Sequence, residues 1–206
     1  MRGEMRQIGL AMAAATVLFV GACDREDRAQ ADSIVERAGQ AIGAAGDTIA
    51  GRIRGREYSN VEMLGLINLV NDAEVEMGTM AAAKATDPAV RTFAQRLIAD
   101  HRALKAKVDS SSRGLAVTPA APSDDEDIAE DHQKAMQELT AQAKGREFDE
   151  NFVEHEVRIH RKILDEIEDA IEGNNNPEIR ALLEQARAGV QAHLTTAEEL
   201  EKKFGT

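Results

Sequence analysis

The sequence has no tryptophan, one tyrosine, one cysteine and four prolines. Each shortage closes off a class of protein. A single cysteine excludes an internal disulfide framework and any CxxC metal or redox site. Aromatics at 3%, against an abundance of Ala, Leu, Ile, Glu, Lys and Arg, remove the usual strand formers and leave an all-α composition. A formal net charge of −12 excludes a nucleic-acid partner on electrostatic grounds. No glycine-rich phosphate loop, nucleophile elbow or alternating strand pattern appears. Beyond Ile8–Val20, nothing is apolar enough to span a membrane.

What is present begins with an export signal over residues 1–22. Arg2 and Arg6 precede the apolar run Ile8–Val20, which is short for a membrane span and suited to a signal core. The run ends in Phe19-Val20-Gly21-Ala22-Cys23, which resembles a bacterial lipobox. That resemblance implies that Cys23 is lipidated and becomes the first mature residue, placing the protein on a membrane through its acyl chains. The other reading is ordinary secretion with a free thiol. By resemblance to enterobacterial lipoproteins, Asp24 favours the periplasmic face of the inner membrane.

Residues 23–58 read as a tether. Ile34, Val35, Ile42, Ile49 and Ile53 recur at helical spacing, but Gly39, Gly43, Gly46, Gly51 and Gly55 interrupt them. The expectation is a frayed amphipathic helix, since each glycine costs about 1 kcal/mol against alanine. Residues 59–206 carry the main helical patterns. The first starts at Ser59 or Asn60 and runs to about Ala85; Asp87 caps the second, with Pro88 in its first turn. A loop holding Pro119 and Pro122 leads to the acidic run Asp124–Asp127, read as a helix start that complements the macrodipole rather than as a metal loop. A crossover helix follows from about Glu126 to Lys144, another from Phe148 to Ile171, and the last from Pro177, capped by Asn176, to Lys203.

Polar residues interrupt the apolar stripes of these helices. Positions 64, 67, 71, 74, 78 and 81 share one face and contain Glu74; 90, 94, 97, 101, 104 and 108 contain His101. The stripe 152, 156, 160, 163 and 167 contains Glu156 and His160, and 179, 183, 186, 190, 193, 197 and 200 contain His193. Counted from the connecting turns at 1.5 Å per residue, Glu74 and His101 both lie ~20 Å along, and His160 and His193 ~22 and ~27 Å. All four fall near mid-bundle. A carboxylate and imidazoles converging there is how helical proteins build metal sites. The competing reading is a structural cluster, in which buried histidines hydrogen-bond a buried glutamate. His132 and His155 are expected in solvent. The spacing Glu156–His160 is i, i+4, and no Glu-x-x-His pair is present, which argues against a di-iron carboxylate centre.

These residues resemble a bacterial family, the domain of unknown function 4142. The likeness rests on Ala73–Gly78, on Asp87-Pro88-Ala89-Val90-Arg91-Thr92-Phe93-Ala94-Gln95, on Asp100-His101, on Phe148-Asp149 and on His160 and His193-Leu194. The resemblance implies a ferritin-like four-helix bundle and an envelope location, but no settled activity. The expected architecture is therefore all-α: a ferritin-like four-helix bundle with an extra helical crossover segment and an N-terminal tether. In its metal version, Glu74, His101, His160 and His193 hold one transition ion, Zn, Cu, Fe or Mn. In the alternative, the protein is a structural or stress-related envelope interaction protein with a purely structural Glu/His core. A ferritin-like redox enzyme ranks last, because it needs open coordination positions.

Overall fold

The structure, a computed structural model, describes residues 49–53, 55–121 and 126–205. The signal segment, Cys23, Asp24, the tether as far as residue 48 and Asp124-Asp125 of the acidic run lie outside the described residues.

The first described element corrects the reading of the tether. Ile49 and Ile53 belong to a strand, β1 (Ile49–Ile53), which pairs antiparallel with β2 (Arg56–Ser59). Arg52 faces Glu57, Ile53 faces Arg56, and an irregularity interrupts the ladder between Ile49 and Gly51. The glycines that weaken a helix here make the hairpin: Gly55 sits at φ +80° in the connection, where a Cβ would be strained.

Ser59 then starts α1 (Asn60–Lys84). Its hydroxyl accepts from Glu62 N while Glu62 reaches back to Ser59 N, a reciprocal capping box. Asp87 caps α2 (Pro88–Gly114) by accepting from Ala89 N at 2.8 Å. The chain beyond α2 crosses α1 so closely that a Cβ on Gly65 would meet the Ala120 carbonyl carbon at 2.2 Å. After it comes the short α3 (Glu126–Ala141). It stops before the expected Lys144, and Lys84 Nζ satisfies the freed carbonyls of Leu139, Thr140 and Gln142 at 2.6–2.9 Å. Gly145, at φ +154°, opens α4 (Arg146–Gly173), and Asn176 caps α5 (Pro177–Phe204).

Helix α1 packs along α2, α4 along α5, and α2 against α5. Side-chain bridges fix the directions. Asn176 donates to Asn60 at 3.1 Å where α1 and α5 begin, and Arg146 donates to the Phe204 carbonyl at 2.9 Å where α4 begins and α5 ends. Thus α1 and α5 run one way, α2 and α4 the other. The connection bearing α3 must travel the length of the bundle, the single long crossover of ferritin-like topology. Helices α1 and α4 barely touch; the hairpin and α3 fill the seam between them. No described helix is long and apolar enough to cross a membrane.

Candidate metal centre

The polar positions of the stripes meet inside this bundle. His101, His160 and His193 are 3%, 0% and 2% exposed, and one ring nitrogen of each lies within 4.8 Å of one from each of the others. Ring centroids are 5.2 Å apart for His101 and His193, 5.4 Å for His160 and His193, and 6.2 Å for His101 and His160. A second group shares His160: it joins Glu74 of α1 and Glu156 of α4, again with one atom of each within 4.8 Å. Glu74 therefore joins the cluster through His160 and Glu156, not through the three-histidine group. Glu156, present on the stripe yet outside the expected ligand set, is fully buried. Its position one turn before His160 was the available signal.

Each imidazole has one nitrogen held from outside. His101 Nδ1 donates to Asn71 Oδ1 at 2.9 Å, His160 Nδ1 to the Glu156 carbonyl at 3.0 Å, and His193 Nε2 to Asp100 Oδ2 at 2.9 Å. These partners are acceptors, so they fix the proton on the nitrogen they face. The opposite nitrogens, His101 Nε2, His160 Nε2 and His193 Nδ1, are then bare lone pairs. All three are buried without a hydrogen-bond partner. Glu74 and Glu156 lie side by side, and Glu156 Oε2 is 3.3 Å from His160 Nδ1.

Burial sets the charges. It drives the His101 imidazole down to about 3, aided by His193, and His160 well below the ordinary range, aided by His101 and His193. His193 is lowered too, with Asp100 opposing the shift. The carboxyls move the other way. Burial lifts Glu74 to about 7 and Glu156 well above its usual range, the latter also because Glu74 lies beside it. Three neutral imidazoles thus adjoin a carboxyl pair that retains a proton at neutral pH.

His155 is a correction. It was expected in solvent beside a charged face, but it is 7% exposed, and burial lowers it to about 4. Its Nδ1 accepts from Arg158 at 3.0 Å. His132 is half-buried and lies 3.2 Å from Glu76 across the α1–α3 contact. Neither belongs to the central cluster.

The profile of a family described as Domain of unknown function (DUF4142) matches residues 56–200, most of the chain. The chain belongs to the DUF4142 family. No curated protein matches it. The crystal structure of a DUF305 fragment from Deinococcus radiodurans is similar to this DUF4142 chain, with a TM-score of 0.61 at 12% identity, over 69% of this chain and 95% of that one. At that identity the similarity concerns the fold alone.

Proposed function

We propose that this DUF4142 protein is a metal-binding bundle of the bacterial envelope, holding one transition ion on His101, His160 and His193. The observation that carries the reading is the split in hydrogen bonding: one nitrogen of each ring is engaged by an acceptor, and the other is bare and buried. Metal-ligating histidines have this outer-sphere support, which fixes the tautomer and the ring orientation. Each bare nitrogen keeps a lone pair that a transition ion can take up.

The dimensions fit. Three atoms within 4.8 Å of one another leave a point no more than about 2.8 Å from each, and zinc–imidazole bonds are about 2.0–2.1 Å. Ring shifts of under about 1 Å close that difference. Imidazoles favour Zn, Cu or Fe over Mn, while Glu74 and Glu156, through their contact with His160, offer an oxygen and negative charge nearby. The purely structural reading leaves three imidazole nitrogens unpaired in the core, each at a cost of about 1–3 kcal/mol.

Elemental analysis of the full-length chain, extracted in mild detergent without a histidine tag, tests the reading. One equivalent of Zn, Cu or Fe is expected, lost in a His101→Ala, His193→Ala double variant. No bound metal, together with no thermal shift on adding Zn, Cu, Fe or Mn, would leave a structural cluster.

The envelope placement rests on the lone Cys23 at the end of the Ile8–Val20 run, and lipid attachment there makes the membrane the partner. A Cys23→Ala variant is expected to lose incorporation of labelled palmitate and to shift from the membrane to the soluble fraction. Retention of the label would remove Cys23 as the anchor.

A further inference from the structure

The three acceptors that steady the imidazoles differ in their access to solvent. Asn71 is 1% exposed and Glu156 is 0% exposed, whereas the Asp100 side chain is 46% exposed. The sequence arranges this, because Asp100 directly precedes His101 on α2 and so lies about 100° round the helix from it. Its Oδ2 accepts from His193 Nε2 of α5 at 2.9 Å and from Arg96 Nε at 3.3 Å. Its Oδ1 takes no hydrogen bond from the described residues. One surface carboxylate is therefore a single hydrogen bond from the cluster, with an oxygen left for a solvent cation.

The other approaches suit a cation less. A cavity beneath the hairpin reaches Asn71 and His101, but Leu66, Ile67, Leu104, Ile163 and Ile167 line it. An ion passing there would shed its water without gaining ligands, which is costly for a charge. On the side of Glu74 and Glu156, α3 lies across the seam between α1 and α4. Asp131 of α3 pairs with Lys162 at 2.7 Å, and His132 of α3 lies 3.2 Å from Glu76.

We propose that a metal ion enters the three-histidine site at Asp100, an inference that rests on the metal reading of that site. A cation that takes Asp100 as its first ligand competes for the carboxylate that holds His193 Nε2–H. The released ring swings aside, the ion reaches the bare nitrogens of His101 and His160, and His193 closes on it. Arg96 opposes the first step, because its guanidinium occupies the same carboxylate oxygen as the His193 ring. Asp100 then has two separable roles. As an acceptor it keeps the His193 proton on Nε2; as a charge it attracts the ion. Asparagine retains the first role and loses the second, since its amide oxygen still accepts.

The test uses the full-length chain in mild detergent, stripped of metal by a chelator that is then removed. Uptake and release of Zn(II) are timed separately by stopped flow with a zinc-indicator dye, and the amount bound is read at the end. Asp100→Asn is expected to slow uptake by about tenfold at low salt, and its difference from the wild type to shrink as salt rises. Arg96→Gln is expected to speed uptake by about threefold. Unchanged uptake in Asp100→Asn would overturn the entry point, and faster release alone would leave Asp100 as a support for His193 only. Should Asp100→Asn bind no ion, Arg96→Gln decides, and unchanged uptake there would overturn the proposal. Slower uptake in Ala186→Met, which narrows the cavity beneath the hairpin, with none in Asp100→Asn, would place the entry in that cavity. A wild-type chain that takes up no Zn(II) would remove the metal site itself, an outcome that the amount bound separates from any change in rate.

Discussion

Replacing Asp149 by alanine is expected to lower the stability of the bundle by about 3 kcal/mol, more than any single cap at its surface. Asp149 stands in the first turn of α4 and is 1% exposed. Its carboxylate accepts from the Thr86 amide at 3.0 Å, from the Thr86 hydroxyl at 2.5 Å and from the Asp87 amide at 2.8 Å. Those groups form the turn between α1 and α2, so one side chain joins the two helical hairpins at the end of the bundle. Hydrogen bonds to a buried charge are worth about 1.5–3 kcal/mol, and alanine leaves two backbone donors without an acceptor. Asparagine is expected to recover little, because its amide group turns a donor toward those same donors. The midpoint of urea unfolding, followed by far-UV circular dichroism, measures the loss. A change below about 1 kcal/mol in Asp149→Ala would mean that the turn is held by other contacts.

The parts of the architecture that were legible in the sequence are those encoded locally. Asp87-Pro88 and Asn176-Pro177 place helix starts within a residue or two, because a capping oxygen and a proline ring act on their immediate neighbours. The stripes containing Glu74, His101, His160 and His193 were legible because a polar residue at a three- or four-residue step among apolar ones must enter the core. What escaped depends on partners distant in sequence. His155 lies among Glu154, Glu156 and Arg158 and reads as surface; it is buried among residues that neither its own spacing nor its neighbours in sequence predict. The hairpin escaped because Gly51 and Gly55 break a helix and make a turn with equal ease, and only packing on α4 decides between them. Glu74 and Glu156 illustrate the limit at the site itself. Spacing places each carboxylate on a core face, but only the rotation of α1 against α4 puts the two together.

The metal-free protein is expected to be most stable near pH 6.5 and to lose stability on both sides. His101, His160, His193 and His155 are all held below the ordinary value of 6.5, His101 at about 3 and His155 at about 4. Below pH 6.5 the unfolded chain therefore takes up protons that the folded chain refuses, and each such group removes about 1.4 kcal/mol per pH unit. Glu74 and Glu156 act in the opposite sense. Their folded values lie above the ordinary 4.5, so folding retains protons that the unfolded chain has released, and stability falls as pH rises from 4.5 through their folded values. Between pH 4.5 and 6.5 four histidines oppose two carboxyls, a net loss of up to about 2.7 kcal/mol per unit of acidification. Below 4.5 the carboxyls no longer compensate, and the decline steepens. By pH 4 the loss reaches up to about 8 kcal/mol, against a stability of about 5–15 kcal/mol, so acid unfolding should set in between about pH 5 and pH 4. Above pH 6.5 only the carboxyls act, and Glu156→Gln, which cannot ionise, should flatten that limb while leaving the acid limb in place. Saturating metal should protect the folded form on the acid side as well, because protons must then compete with the ion for His101, His160 and His193. Urea midpoints measured from pH 4 to 9, with chelator and with metal, read both limbs. Stability that stays level from pH 5 to 8 in chelator would mean that these imidazoles are not held neutral in the core, and the bare nitrogens on which the metal reading rests would go with them.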